Sequence, residues 1–207
     1  GAMSTAIQVA HNTDGIVDYP LDRGCRAAAS ECAFDRQSSQ EARMQYFVTG
    51  ATGFIGKRLV ARLLARPEAT VYFLTRAVEQ PRLQEWYDYW GCDESRAIPI
   101  VGDLTQPELG VAKADVHKLK GRVDHFFHLA AIYDLKASAE DQQRANVDGT
   151  RNTVRLAEEL AARHFHLVSS IASAGLFEGL FREDMFEEAE NLENPYFRTK
   201  HDSEGIV

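Results

Sequence analysis

Tyr196 and Lys200 stand four residues apart in the stretch NPYFRTK. On a helix that spacing puts the phenol and the ammonium on one face, and a cation beside a phenol favours the phenolate. A tyrosine placed this way can exchange a proton with a carbonyl oxygen. The pattern YxxxK is common by accident, so its setting carries the argument. A strand-like run, FHLVSS, ends at Ser169 and Ser170, 26 residues before Tyr196. A serine hydroxyl at the C-terminal edge of such a strand points into the crevice where open α/β sheets bind ligands, and could hold the same oxygen.

A second group of residues lies upstream in MQYFVTGATGFIG, residues 44 to 56. Gly50, Gly53 and Gly56 follow a short apolar run, and glycine serves both positive φ and close backbone approach. The triplet by itself fits a turn or a phosphate cradle. Where a strand ends and a helix begins, the first glycine makes the turn, the second admits a pyrophosphate and the third packs helix on strand. The spacing here is GxxGxxG rather than GxGxxG. A second strand ends at Thr75-Arg76, 20 residues past Gly56, at the position of a ribose reader. An acidic side chain there would accept from a 2′-hydroxyl, whereas a guanidinium pairs with a 2′-phosphate. Arg76 therefore favours NADP over NAD; the alternative is an exposed arginine at a strand end.

These residues need elements to position them, and from Met44 onward strands and helices alternate. The strands are expected at YFVTG (46–50), TVYFLTR (70–76), AIPIVGD (97–103), HFFHLAA (125–131) and FHLVSS (165–170). Continuous apolar runs of this kind suit strands buried on both faces of a parallel sheet. Phe54, Ile55, Leu59, Val60, Leu63 and Leu64 recur at helical spacing before Pro67, and Ala145, Thr153, Leu156, Ala157 and Leu160 do so later. Parallel strands joined by helices predict an α/β fold with a doubly wound parallel sheet. Before this domain, Gly1 to Met3 reads as an expression scar left by a protease. Residues 4–43, polar and without period, are expected to form a mobile arm in which CRAAASECAF could form a short helix; packing on the domain or on a partner is the alternative.

Composition narrows the function classes. A net charge of -8 argues against a protein that tracks nucleic-acid phosphates. Cys25, Cys32 and Cys92 offer no CxxC spacing, and His125, His128, His164 and His166 form no helical pair with a carboxylate, so no metal site is expected. The run EWYDYW (85–90) is interleaved with acids and is expected to pack on the sheet; the acidic run 182–194 suits a solvated loop. No run reaches the length of a membrane span, and a cytoplasmic compartment is the expectation.

TGATGFIG (49–56), Asp103-Leu104, HLAA (128–131), NVDGT (146–150), VSS (168–170) and YFRTK (196–200) occur in the order seen in extended short-chain dehydrogenases/reductases. The longer stretches HLAAIYDL, FHLVSSIASAGLFEGLFREDMFEEAE and PYFRTKH most resemble the bacterial fatty acyl-CoA reductases, close to thioester reductase domains. The resemblance covers residues 44–207 and implies a Rossmann-type domain. By it, Gly50, Thr52, Gly53, Phe54, Ile55 and Gly56 would line the pyrophosphate, Arg76 the 2′-phosphate, Asp103 and Leu104 the adenine, and Ala130 and Ala131 the nicotinamide half of NADP(H). Tyr196 would donate the proton, Lys200 would lower its pKa and hold the ribose, and Ser170 rather than Ser169 would bind the reacting oxygen. Asn146 would support the lysine through water or backbone; helix packing or capping is the other reading of that asparagine.

The implied reaction is NADPH-dependent reduction of a fatty acyl thioester, carried by CoA or an acyl-carrier protein, to an aldehyde and onward to an alcohol. Reduction or epimerisation of a sterol or nucleotide sugar uses the same motifs, and a cofactor-binding module without turnover is the non-enzymatic alternative. Extended members continue beyond this point with a substrate-binding region. The chain is thus expected to be the nucleotide-binding portion of a longer enzyme, 44–207 being an incomplete domain with apolar surface available for self-association.

Overall fold

The computed structural model describes residues 43–132 and 137–207. The expected N-terminal arm, its short helix, Cys25, Cys32 and the segment Tyr133 to Leu135 of HLAAIYDL lie outside the described residues.

Five strands, β1 (Gln45–Thr49), β2 (Thr70–Thr75), β3 (Ala97–Val101), β4 (His125–His128) and β5 (His164–Leu167), form one parallel sheet in the order β3-β2-β1-β4-β5. Val48 lies opposite Phe73 on one side and Phe127 on the other. Parallel neighbours need crossovers. These carry α1 (Phe54–Leu64), α2 (Leu83–Trp90), α3 (Lys113–Leu119) and the pair α4 (Ala139–Gln142) and α5 (Gly149–Glu159). A π-helical turn, Gln143–Asp148, joins α4 to α5, and α6 (Pro195–Glu204) follows β5.

Successive residues of β1 feed opposite layers, as strand pleating requires. Tyr46 and Val48 join Val60, Leu64, Val71, Phe73, Trp86 and Trp90 in the layer of α1 and α2. Phe47 joins Tyr72, Ile100, Leu119, Phe126, Leu156 and Leu160 in the layer of α3 and α5. The EWYDYW run becomes α2, with Trp86 and Trp90 both edge-on to Phe73 and the Trp90 indole donating to the Lys57 carbonyl at 3.1 Å. It packs on the sheet as its composition suggested.

Two local readings change. The buried stripe of α1 starts at Gly56 and runs through Val60 and Leu64, while Phe54 and Ile55 are 76% and 58% exposed. Among the described residues no element covers the first turn of this helix. Strands β3, β4 and β5 also end two to three residues earlier than their apolar runs. Gly102, Leu129 and Val168 each still donate to the last residue of the neighbouring strand, and the residues after them, Asp103, Ala130-Ala131 and Ser169-Ser170, leave the sheet at its C-terminal edge. Among the described residues, no helix is long and apolar enough to cross a membrane.

Candidate active site

The strand order reverses between β1 and β4, and the two chains leave the sheet there in the glycine loop and at Leu129-Ala130. A crevice at such a switch point is where open sheets bind ligands. Gly50 has φ +73, and a Cβ on it would stand 2.7 Å from the Ala130 nitrogen. A Cβ on Gly56 would stand 2.0 Å from the Gly50 carbonyl oxygen. Both glycines are therefore required by backbone approach. Gly53 differs: it is exposed, and its Cβ would meet only the Gly50 carbonyl, at 3.3 Å. The loop closes through Gly53 N–H donating to the Gly50 carbonyl at 3.1 Å, and α1 begins directly after it. No acidic side chain occupies the first turn of α1, so the helix N-terminus and open glycine suit an anion. The residues present fit a dinucleotide pyrophosphate.

At the ends of β2 and β3, Arg76 and Asp103 mark the far side of the crevice. Arg76 pairs with Glu79 at 3.0 Å, and this bond raises the guanidinium pKa further. The pair is largely exposed on the arginine side, so it contributes at most about 1 kcal/mol and a phosphate can displace it. Asp103 accepts from the Thr105 N–H and hydroxyl, both at 2.8 Å; these bonds and the nearby Arg76 hold its carboxyl below the usual range. Leu104 is pinned from behind by Asn152, whose amide donates to the Leu104 carbonyl at 3.1 Å.

At the other end, α6 begins at NPY because Asn194 caps it, accepting from the Tyr196 N–H at 2.9 Å, and Pro195 supplies the first turn. Tyr196 is buried, and Lys200 follows one turn later. Lys200 is 4% exposed, and its ammonium donates to the Val168 carbonyl, one residue past β5, at 3.2 Å. Burial pulls its pKa below the usual lysine value, with Glu204 opposing. Ser170 caps a 3-10 turn, Ile171–Ala174, that packs against α6. Its Oγ accepts from the Ala172 N–H at 3.2 Å, which leaves the hydroxyl proton for a substrate oxygen. Among the described residues the buried Ser169 Oγ finds no partner. His201 ties the same parts together: its Nδ1–H donates to the Ser173 carbonyl at 3.1 Å and its ring stacks on Phe186 at 4.2 Å.

Asn146 sits in the π-helical turn, 2% exposed. Its Oδ1 accepts from the Ile132 N–H at 2.7 Å, while its Nδ2 donates to the Ile132 carbonyl and to Thr199 Oγ1, each at 3.2 Å. It thereby holds the backbone beyond Ala130-Ala131 against the helix of Tyr196 and Lys200. The structure brings Ser170, Tyr196, Lys200, Asn146 and Ala130 to one end of the crevice, and Arg76, Asp103 and Leu104 to the other. Sequence reasoning weighs His128 only as a metal ligand, yet it is 1% exposed and bridges Thr49 and Thr150. A signal for this is present in the chain: an ionisable residue in a run whose strand register buries it.

A glycine cradle at the switch point of a parallel sheet, tied through the Ala130 to Ile132 backbone and Asn146 to a helix that carries YxxxK, defines a nucleotide-binding domain of the short-chain dehydrogenase/reductase class. Within that class the chain belongs to the family described as Male sterility protein, an NAD(P)-binding domain of the thioester reductase branch, whose model matches residues 48–207. A linear gramicidin synthase polypeptide of Brevibacillus parabrevis is 34% identical over 175 residues, covering 77% of this chain and 3% of that protein. Fatty acyl-CoA reductase 1 of Xenopus laevis is 36% identical over 129 residues, covering 55% of this chain and 25% of that protein. Among solved structures, the terminal R domain from the myxalamid PKS-NRPS biosynthetic pathway superposes with a TM-score of 0.68 at 29% identity, over 79% of this chain and 44% of that one. The chain spans less than half the length of each of these relatives.

Proposed function

We propose that this chain binds NADPH and, in the protein that carries it, reduces a fatty acyl thioester of CoA or an acyl-carrier protein. The observation that carries the reading is the seating of α6, the helix of Tyr196 and Lys200, against both the Ser170 turn and the Asn146 turn. The names of the relatives, a fatty acyl-CoA reductase among them, support the thioester as substrate. Gly50, Thr52, Gly53, Phe54, Ile55 and Gly56 hold the pyrophosphate, Arg76 the 2′-phosphate, Asp103 and Leu104 the adenine, and Ala130 and Ala131 the nicotinamide half. When bound, NADPH supplies a hydride to the thioester carbonyl carbon. Ser170 donates a hydrogen bond to the oxygen on which charge develops, and Tyr196 delivers a proton to it. Lys200 holds the ribose and adds positive charge beside that oxygen. Loss of the thiol then leaves an aldehyde, and with a second NADPH the same groups would serve its reduction to the alcohol. Acyl-CoA-dependent oxidation of NADPH tests the reading. Activity confined to nucleotide sugars or sterols, or none with any thioester, would sink it.

Cofactor choice follows from Arg76. NADPH binds more tightly than NADH, and Arg76→Ala removes most of the difference, read by fluorescence titration of each cofactor. Equal affinities in the unmodified protein would remove the 2′-phosphate role.

Self-association is a further expected property. Ile171, Leu176 and Leu180 are 92%, 56% and 80% exposed on the segment after β5, and apolar surface of this kind associates. Light scattering at micromolar concentration is expected to show dimers or larger species, and Leu180→Glu is expected to reduce them.

A further inference from the structure

We propose that His128 is a positioning residue, a single-tautomer imidazole that locks the backbone at Ala130 to the Asn146 turn and so to the helix of Tyr196 and Lys200. The argument is one of proton count. Thr150 Oγ1 lies 2.6 Å from the Asn146 carbonyl oxygen, which can only accept, so the Thr150 hydroxyl proton is in that bond. Its Oγ1 must then accept from His128 Nε2, at 3.1 Å. With the ring proton on Nε2, Nδ1 is the acceptor, and it takes the Thr49 hydroxyl proton at 2.6 Å. Thr49 Oγ1 is left to accept, and the Ala130 N–H donates to it at 3.3 Å. Four bonds thus run with one polarity from Ala130 to Asn146.

Reversing any one bond strands a buried donor or acceptor, because Thr49, His128 and Thr150 are all 2% exposed or less. A charged ring would fit no better: with Nδ1 protonated, Thr49 would accept from both Nδ1–H and Ala130, and its own buried hydroxyl proton would lose its acceptor. Burial and the positive charge of Lys200 hold the ring neutral, its pKa down to about 3. The lock also explains the closeness of Gly50 to Ala130, since Thr49 and His128 are register partners on β1 and β4, one residue before Gly50 and two before Ala130. Asn146 then passes the constraint to α6 through Thr199, whose Oγ1 accepts from its side-chain amide at 3.2 Å. The tautomer rests on these distances alone, whereas the effect on NADPH rests on the function proposed above.

The test uses protein labelled with 15N-histidine. Long-range 15N–1H spectra are expected to show His128 as the neutral Nε2–H tautomer, unchanged between pH 8 and pH 5. An Nδ1–H pattern, or a ring that titrates in this range, would overturn the proposal. Thr150→Val removes the acceptor at Nε2 from a helix remote from the glycine loop. Losing one such bond is expected to weaken NADPH binding about fivefold, with Thr150→Ser restoring it to within about twofold. A Thr150→Val protein that loses stability in urea but keeps its NADPH affinity would show a merely structural role and refute the positioning claim. No NADPH binding by the unmodified protein would instead refute the nucleotide reading, and the 15N pattern would still decide the tautomer.

Discussion

Tyr196→Phe is expected to lower acyl-thioester-dependent NADPH oxidation by about 10²- to 10⁴-fold, the usual loss when a general acid is removed, with NADPH affinity nearly unchanged. The substitution takes away only a hydroxyl. Tyr196 is buried in the first turn of α6, whose start is set by Asn194 and Pro195 rather than by the phenol, so the helix keeps its place. Lys200→Met is expected to fail differently. It removes the ammonium that donates to the Val168 carbonyl and would contact the ribose, so activity and cofactor affinity fall together. Ser170→Ala follows the tyrosine pattern, because its hydroxyl matters most where charge develops on the carbonyl oxygen. Separate NADPH titrations and turnover assays for the three variants distinguish these outcomes. Retained turnover in Tyr196→Phe would refute the assigned proton donor.

Acid is expected to destabilise the fold through His128 well above the carboxylate range. In the unfolded chain this imidazole takes up a proton near its ordinary value of 6.5, whereas in the folded protein it stays neutral down to about 3. The unfolded state therefore binds more protons between these values, and stability falls as pH falls through that window. Between pH 7 and pH 5 the loss from this one group is about 2 kcal/mol, roughly 30-fold in the unfolding equilibrium. Burial also lowers the pKa of His125 and His166, which act in the same direction. The comparison with His128→Gln isolates the one site: its urea midpoint is expected to drop less between pH 7 and pH 5, by that amount. Should the variant fold poorly, the unmodified protein decides, since a His128 resonance that titrates between pH 7 and pH 5 contradicts the prediction.

Much of this molecule was legible in the amino-acid sequence, and the reason lies in local physics. Strands buried on both faces must be continuously apolar, so β1 and β2 announced themselves. A glycine needed for positive φ or for backbone contact admits no substitute, so Gly50 and Gly56 marked the loop. A four-residue spacing becomes one helical face wherever a helix forms, so Tyr196 and Lys200 could be paired from their spacing together with the strand ending in Ser169-Ser170 before them.

Tertiary structure decided what depends on residues far apart in the chain. Phe54 and Ile55 are exposed because, among the described residues, no element packs over the first turn of α1, which periodicity does not report. Asn146 admitted two readings in sequence. Its contacts with Ile132, 14 residues away, and Thr199, 53 residues away, made it the tie between the β4 exit and α6. His128 is the clearest case. A histidine in a strand has no assigned partner until the sheet sets Thr49 beside one nitrogen and α5 sets Thr150 beside the other. Apolar pattern and glycine placement act over a few residues and are written in the sequence; the pairing of buried polar atoms is a property of the packed fold, because only packing excludes the water that would otherwise satisfy them.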